Sequence, residues 1–292
     1  MQSANKWSPG AALSLSAIII LAVSVRVFYL DTLEPFVDES FHLRFSSQGH
    51  FLIDLIHGFK VIGYLIFYPT AIFADDALLS TRLLVSIFGV GTAIGVFMAT
   101  KELSNWKSAA IAGVIWAVLP YVVLHDRLAL HDPFISFFQA WSFFFTAFGL
   151  KRQRMKMVCL GGLFMGLASI TKITALAGLA LIFFMSLAIP NRKKDYLKSG
   201  MIFFIGMAIP FIFLIPQFID TFDGFRLYLE NFTGVPKDAS NIANMEVSDF
   251  GIERFQHNLS LVIEWISVYN GYAFCALASL SIIVVFLKPS KL

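Results

Sequence analysis

The chain has 292 residues, of which 58% are hydrophobic, 15% aromatic and 14% charged. A soluble domain carries roughly 45–50% apolar and about 25% charged residues, so these proportions exclude an ordinary soluble protein and point to a membrane. The net charge of +3 says little by itself and gives no ground for a nucleic-acid partner; its distribution along the chain says more.

Apolar stretches of about 16–25 residues recur, the length a helix needs to cross a bilayer. The first covers residues 11–30. It is too long for the apolar region of a signal peptide and lacks a small-residue cleavage site followed by a soluble domain, so it is expected to be retained as a span. A first outer loop of about 50 residues follows (31–81), longer than a plain connection requires. It opens with the acidic pair Asp38-Glu39, followed by His42, and it contains Lys60. It also holds the apolar segment 61–74, which is short and interrupted by Pro69. That segment is read as a helix lying at the outer interface or tucked re-entrantly, and with residues 39–56 it makes up the long first loop, in which interfacial helices are expected.

Further spans are expected at 82–100, 108–124, 134–150, 157–172, 174–190, 200–219 and 260–287, about eight in all. A second large outer loop, 220–259, is polar and punctuated by Gly and Pro. The triplets at 231–233 and 258–260 match the glycan acceptor pattern, which matters only in a eukaryotic lumen. Cys159 and Cys275 both lie in apolar segments and read as small core hydrophobes rather than as a disulfide or a metal cluster. The expected architecture is all-α, a polytopic membrane helical bundle forming a single transmembrane domain over 1–292.

Charge sets the orientation. Thirteen of the 22 Lys and Arg fall at the termini and in the loops 101–107, 151–156 and 191–198, where the only acids are Glu102 and Asp195. The other seventeen acids fall in the opposite loops or at their edges. Basic loops stay on the cytoplasmic side, so both termini are expected there, and the acidic side faces outward. Counting 61–74 as a span would reverse the loops that follow it, which is why it is read as non-spanning.

Three polar groupings on the acidic side need an explanation. Asp38 and Glu39 fit a helix start, where acids are favoured by the helix dipole, and they equally fit a catalytic pair. The stretch 125–134 packs His125, Asp126, Arg127, His131 and Asp132 ahead of Pro133. A polar connection with Pro in the first turn of the next helix accounts for part of it. A divalent metal is possible there but not indicated, because Arg127 lies between the two His-Asp pairs and would repel a cation. The third grouping is a scatter of cations: Arg26, Lys60, Arg82 and Lys172. Lys172 sits in an apolar hairpin, where an ammonium costs a few kcal/mol unless it is paired or reaches water. Arg26 and Arg82 are expected to pair with acids such as Asp31 or Asp76. Acids and cations gathered where water meets lipid suit a transfer in which a carboxylate takes a hydroxyl proton while Lys and Arg hold a departing phosphate.

These residues resemble a known family. The run Arg26-Val27-Phe28-Tyr29-Leu30-Asp31, then Pro35-Phe36-Val37-Asp38-Glu39-Ser40-Phe41-His42, is similar to the first-span and first-loop motif of GT-C glycosyltransferases. Within them it resembles the dolichyl-phosphate-mannose protein mannosyltransferase superfamily, which includes the lipid A aminoarabinose transferases. Lys60 with the apolar run behind it, then Arg82-Leu83, resembles the family's lysine segment, interfacial helix and Arg-Leu. The two prolines that follow the lysine in the family are Val61 and Ile62 here. Arg127 to Phe134 looks like the second-loop motif, and Gly166 to Lys172 resembles the Gly-Leu-Ala…Thr-Lys segment. The resemblance covers roughly residues 15–190, with a GT-C-like catalytic module expected over 11–190.

The resemblance implies an inverting glycosyltransferase using an undecaprenyl- or dolichyl-phosphate sugar. The acceptor would be a hydroxyl of a glycan, lipid or protein on the outer or lumenal face. It implies Asp38 as base with Glu39 beside it, and Lys60, Arg127 and Lys172 at the donor phosphate. It implies His42, His131 and Asp132 positioning sugar or acceptor. No certain cofactor is implied. The expected setting is a bacterial or archaeal plasma membrane rather than the endoplasmic reticulum, with membrane lipids around the chain and room for a partner subunit. The alternative reading is a transporter or flippase for a lipid-linked or polar substrate. Transporters favour midplane ionisable groups and internal repeats; here the ionisable groups gather at one face.

Overall fold

The computed structural model describes residues 7–49, 60–189 and 193–214. The expected span 260–287, the second outer loop 220–259, Cys275 and residues 50–56 of the first loop lie outside the described residues. The chain divides into two compact units, residues 1–118 with 122–225, and residues 119–121 with 226–292. The first unit carries the fold and the site described below.

The described residues contain helices and turns and no strand. Helix α1 (Pro9–Val27) starts with Pro9 in its first turn and Ser8 as cap, the Ser8 hydroxyl accepting from the Ala11 amide at 3.2 Å. It ends at Val27 with Phe28 as cap, and Tyr29 just beyond it is a non-glycine residue in the left-handed region at φ 56°. Helices α2 (Val37–Gln48) and α3 (Val61–Phe73) occupy the first loop. At 13 residues α3 rises about 20 Å, short of the roughly 30 Å hydrocarbon core. Helix α4 (Ala77–Leu103) is capped by the Asp76 carboxylate, which accepts from the Leu79 amide at 2.9 Å. Then come α5 (Trp106–Val118), α6 (Pro120–His125), α7 (Asp132–Lys151) and α8 (Met155–Thr171). A 3-10 turn (Ile173–Ala177) leads into α9 (Gly178–Ala188), and α10 (Lys193–Ala208) runs into a second 3-10 turn (Ile209–Leu214).

Among the described residues, three helices, α1, α4 and α7, are long and apolar enough to cross a membrane. Some of the other expected spans that fall on described residues are shorter or broken. The stretch 108–124 splits into α5 and α6 because Pro120 has no amide to donate and disfavours helical geometry in the residue before it. The stretch 174–190 begins as a 3-10 turn after Lys172, whose extended backbone (φ −162°, ψ 129°) stops α8.

Large apolar side chains such as Leu13, Ile20, Ile87, Ile111, Phe183 and Phe204 stand exposed on the helices, as expected of surfaces that meet lipid rather than water. Inside, α7 packs against α4 and α8, α8 against α10, and α1 against α4 and α5. Without a hydrophobic drive between helices in lipid, close backbone approach through small residues holds them together. At Gly162 and Gly206 an added Cβ would fall 1.9 Å from the Phe203 carbonyl oxygen and 2.0 Å from that of Cys159. Helices α8 and α10 therefore meet backbone to backbone. Phenylalanines fill the space between α4 and α7, with Phe88 stacked edge-on against Phe134 and Phe137 at 4.6 and 4.8 Å.

A buried ion pair ties α1 to the turn before α7. Arg26 Nε donates to Asp126 Oδ2 at 2.9 Å, and Nη1 donates to the Ala117 carbonyl at 2.9 Å. Arg26 has no solvent exposure. Gly89 of α4 makes room for the pair, since a Cβ there would lie 2.4 Å from the Asp126 carboxylate. Arg26 is structural, as expected, but its partner is Asp126 rather than Asp31, because the arginine points inward between helices instead of out along the loop. Removing one member leaves the other charge buried and unpaired. Arg26→Met should cost on the order of 3–5 kcal/mol, read as a lower melting temperature in detergent. Arg26→Met/Asp126→Asn should recover part of that loss.

Candidate active site

The acidic end of the bundle is organised by a buried carboxylate. Glu39 lies in the first turn of α2 and has no solvent exposure. Its Oε2 accepts from the Phe36 amide at 2.8 Å, closing the start of the helix. Arg82 of α4 grips both oxygens, Nε to Oε1 at 2.8 Å and Nη2 to Oε2 at 2.7 Å. The Ala129 amide, from the second loop, adds a bond to Oε1 at 2.7 Å. Arg82 also donates to the carbonyls of Leu33 and Glu34, at 2.8 and 3.1 Å. One carboxylate thus joins the first loop, α2, α4 and the second loop. Burial alone would raise its pKa, but the bonds from Arg82, Ala129 and Phe36 outweigh it and hold the acid below its ordinary value. Arg82 pairs with Glu39 rather than Asp76 because Asp76 is committed to capping α4.

Asp38 is the neighbour that Glu39 leaves free. It is exposed, on the turn of α2 that Glu39 anchors. One turn further on the same helix lies His42, 7% exposed. Lys60 caps the start of α3 and is half-buried. Lys172, at the end of α8, bridges to Asp132, at the start of α7, with Nζ 2.9 Å from Oδ1. Both side chains of that bridge reach solvent, at 38% and 47% exposure.

These groups share one electrostatic neighbourhood. Burial and then Lys172 push the Lys60 pKa down, while Asp132 and Asp38 oppose them. Burial, followed by Lys60, pushes His42 down to about 4, against Asp38 and Asp132. His131, the residue before α7, is 2% exposed, and burial holds it well below its ordinary value. Both histidines are therefore neutral at pH 7. They stack with ring centroids 4.1 Å apart.

Six of the eight residues expected from the sequence thus come together: Asp38, His42, Lys60, His131, Asp132 and Lys172. Two are spent elsewhere. Glu39 has four bonds to protein and is sealed, which suits holding Asp38 in place rather than touching substrate. Arg127 donates from Nη2 to the carbonyls of Phe28 and Tyr29, both at 2.9 Å, and so caps the end of α1. Among the described residues no cluster of His, Cys, Asp and Glu has the arrangement to hold a metal ion.

The residues not anticipated are Arg82 as the partner of Glu39, the Ala129 amide, and Gly63 with Tyr64 on α3. A glycine inside an apolar helix is costly, which is the signal Gly63 carried; a backbone amide such as that of Ala129 carries none.

Against this geometry stands one comparison with known proteins. A family model described as dolichyl-phosphate-mannose-protein mannosyltransferase matches residues 60–219, more than half of the chain. The chain belongs to that family. This mannosyltransferase-family chain is accordingly a membrane glycosyltransferase of the GT-C type. The matched region begins at Lys60 and contains Arg82, Arg127, His131, Asp132 and Lys172, while Asp38 and Glu39 precede it. No curated protein and no solved structure matches the chain.

The Glu39 pair yields a pH signature. A carboxylate whose folded pKa is depressed contributes stability above its unfolded value and loses it as pH falls through the folded value. Glu39→Gln should destabilise the protein by about 3–5 kcal/mol at neutral pH. That gap to wild type should shrink as pH is taken below 4.5, the acid's ordinary value. Melting temperatures of both proteins in detergent across pH check this.

Proposed function

We propose that the protein transfers a sugar from a polyprenyl-phosphate donor to an acceptor hydroxyl, with inversion, at the acidic end of the bundle. The observation that carries this reading is the convergence of two acids and two cations, Asp38, Asp132, Lys60 and Lys172, from four different elements into one electrostatic neighbourhood.

In the proposed reaction the acceptor oxygen attacks the anomeric carbon from the face opposite the phosphate. The bond from that carbon to the phosphate oxygen breaks, and its electron pair leaves with the polyprenyl phosphate. The hydroxyl proton passes to the Asp38 carboxylate. A carboxylate suits this work when it is exposed to the acceptor and rigidly held, and Glu39 supplies the rigidity. Lys60 and Lys172 offset the charge that develops on the leaving phosphate. Asp132 keeps Lys172 in place until the donor phosphate competes for it, and His42 offers a neutral ring edge to the sugar or acceptor. Arg127 acts at one remove, by fixing the end of α1, and His131 by packing.

The transport reading draws less support, because the titratable groups of the site lie at one end of the bundle rather than along a path through it.

Asp38→Asn should lower transfer by roughly a hundred- to ten-thousand-fold, the range of general-base catalysis, without loss of membrane insertion. Transfer of labelled mannose from dolichyl-phosphate mannose in isolated membranes would measure it, and full activity would remove Asp38 from the base role. In the same assay Lys60→Ala and Lys172→Ala should raise the donor KM by about tenfold or more each, as expected for lost charge-assisted bonds of about 1.5–3 kcal/mol.

The same reading puts the acidic end on the outer or lumenal side, on the strength of the basic loops at the opposite end. A cysteine at Thr32 should react with an impermeant reagent added outside intact cells. One at Ser104 should stay protected until the membrane is opened, and the reverse pattern would invert the orientation.

A further inference from the structure

His131 is almost sealed, and neither of its ring nitrogens has a hydrogen-bond partner among the described residues. A buried imidazole without partners is a poor choice for filling space, so its surroundings are informative. One face of the ring stacks on His42 of α2, 4.1 Å away and 24° from parallel. Tyr64 and Phe67 of α3 approach it at 4.8 and 5.0 Å. The backbone of α3 itself closes the contact at Gly63, where an added Cβ would lie 2.5 Å from Cδ2 and 2.6 Å from Cγ of the ring. The ring has no room to withdraw, because His42, Tyr64 and Phe67 already surround it.

Three elements therefore meet through one side chain, and each carries a charged group of the site. Helix α2 brings Asp38, one turn before His42 and on the same face. Helix α3 begins at Lys60. Helix α7 begins with Asp132, next to His131 and bridged to Lys172 at 2.9 Å.

We propose that the Gly63–His131–His42 stack is the spacer that sets the position of Asp38 relative to the Lys60, Asp132 and Lys172 group, making His131 and Gly63 positioning residues for the transfer. This rests on the reading of Asp38 as the base. Its physical content is distance: a reacting group displaced by about 1 Å can lose on the order of a hundredfold in rate.

The test uses Gly63→Ala, His131→Ala and the double variant Gly63→Ala/His131→Ala in the full chain. Two readouts are taken. One is mannose transfer from dolichyl-phosphate mannose, split into kcat and donor KM. The other is the spin-label distance between Ser40→Cys on α2 and Ser104→Cys at the end of α4, with Cys159 and Cys275 replaced by serine. Each single variant should lower kcat by about tenfold or more with little change in KM, and should broaden or shift the distance. The double variant should be better than Gly63→Ala alone, because the new methyl then occupies space the ring has left.

Wild-type kcat and distance in both single variants would overturn the proposal, and so would losses that simply multiply in the double variant. If Asp38→Asn keeps full transfer, the base reading fails on its own. The distances, which need no donor, then decide whether the stack still sets the position of α2.

Discussion

The acidic end of this bundle depends on how one charge is buried. A carboxylate removed from water is tolerable only if its oxygens are met by donors, and a cation removed with it must be equally occupied. Glu39 and Arg82 meet that condition together: Glu39 takes four bonds, and Arg82 spends its remaining donors on carbonyls of residues 30–34. The pairing fixes the direction of α2 and the path of the loop before it. It also fixes the second loop through the amide of Ala129. The exposure of Asp38 is a consequence, since its neighbour in sequence is turned inward and held by four bonds from three partners.

A division of labour runs through most of the charged groups here, Arg127 excepted. The sealed ones, Arg26, Asp126, Arg82 and Glu39, join elements that are far apart in sequence. The open ones, Asp38, Asp132, Lys60 and Lys172, come from short segments whose placement those joints determine. The histidines lie between the two classes. They are neutral, packed on one another, and close to four charges that neither of them neutralises. Under the proposed function this arrangement accords with membership of a mannosyltransferase family, because transfer from a lipid phosphate would ask for a rigid base and a cationic cradle.

Much of this was legible in the sequence because it depends on composition and order. Long apolar runs marked α1, α4 and α7, a short apolar run marked α3 as a shorter helix, and the clustering of acids marked one end of the bundle. Local chemistry was legible too, as in Asp38 and Glu39 at a helix start. What could not be read was partnership across long separations. Nothing in the order of residues selects Asp126 over Asp31 for Arg26, a choice made by which way the side chain faces in the packed bundle. The commitment of Arg127 to the end of α1 depends on Tyr29 adopting a left-handed conformation, which tyrosine rarely signals. The break at Pro120 was likewise hidden inside a run, 108–124, that hydropathy treats as continuous, whereas the boundary at Lys172 matches the expected division between 157–172 and 174–190.

The Lys172–Asp132 bridge has a bearing on selectivity in a crowded membrane. Phospholipid headgroups vastly outnumber any sugar carrier at a bilayer surface, and an uncovered lysine at this depth would be occupied by them. With Asp132 in place, the ammonium is already satisfied at 2.9 Å, and a bare phosphate has little to gain by displacing the carboxylate. Under the proposed function, a ligand that brings a sugar as well as a phosphate could add contacts to the neighbouring Asp38 and Lys60 and so win the exchange. The carboxylate would then act as an internal competitor that a phosphate alone has to displace.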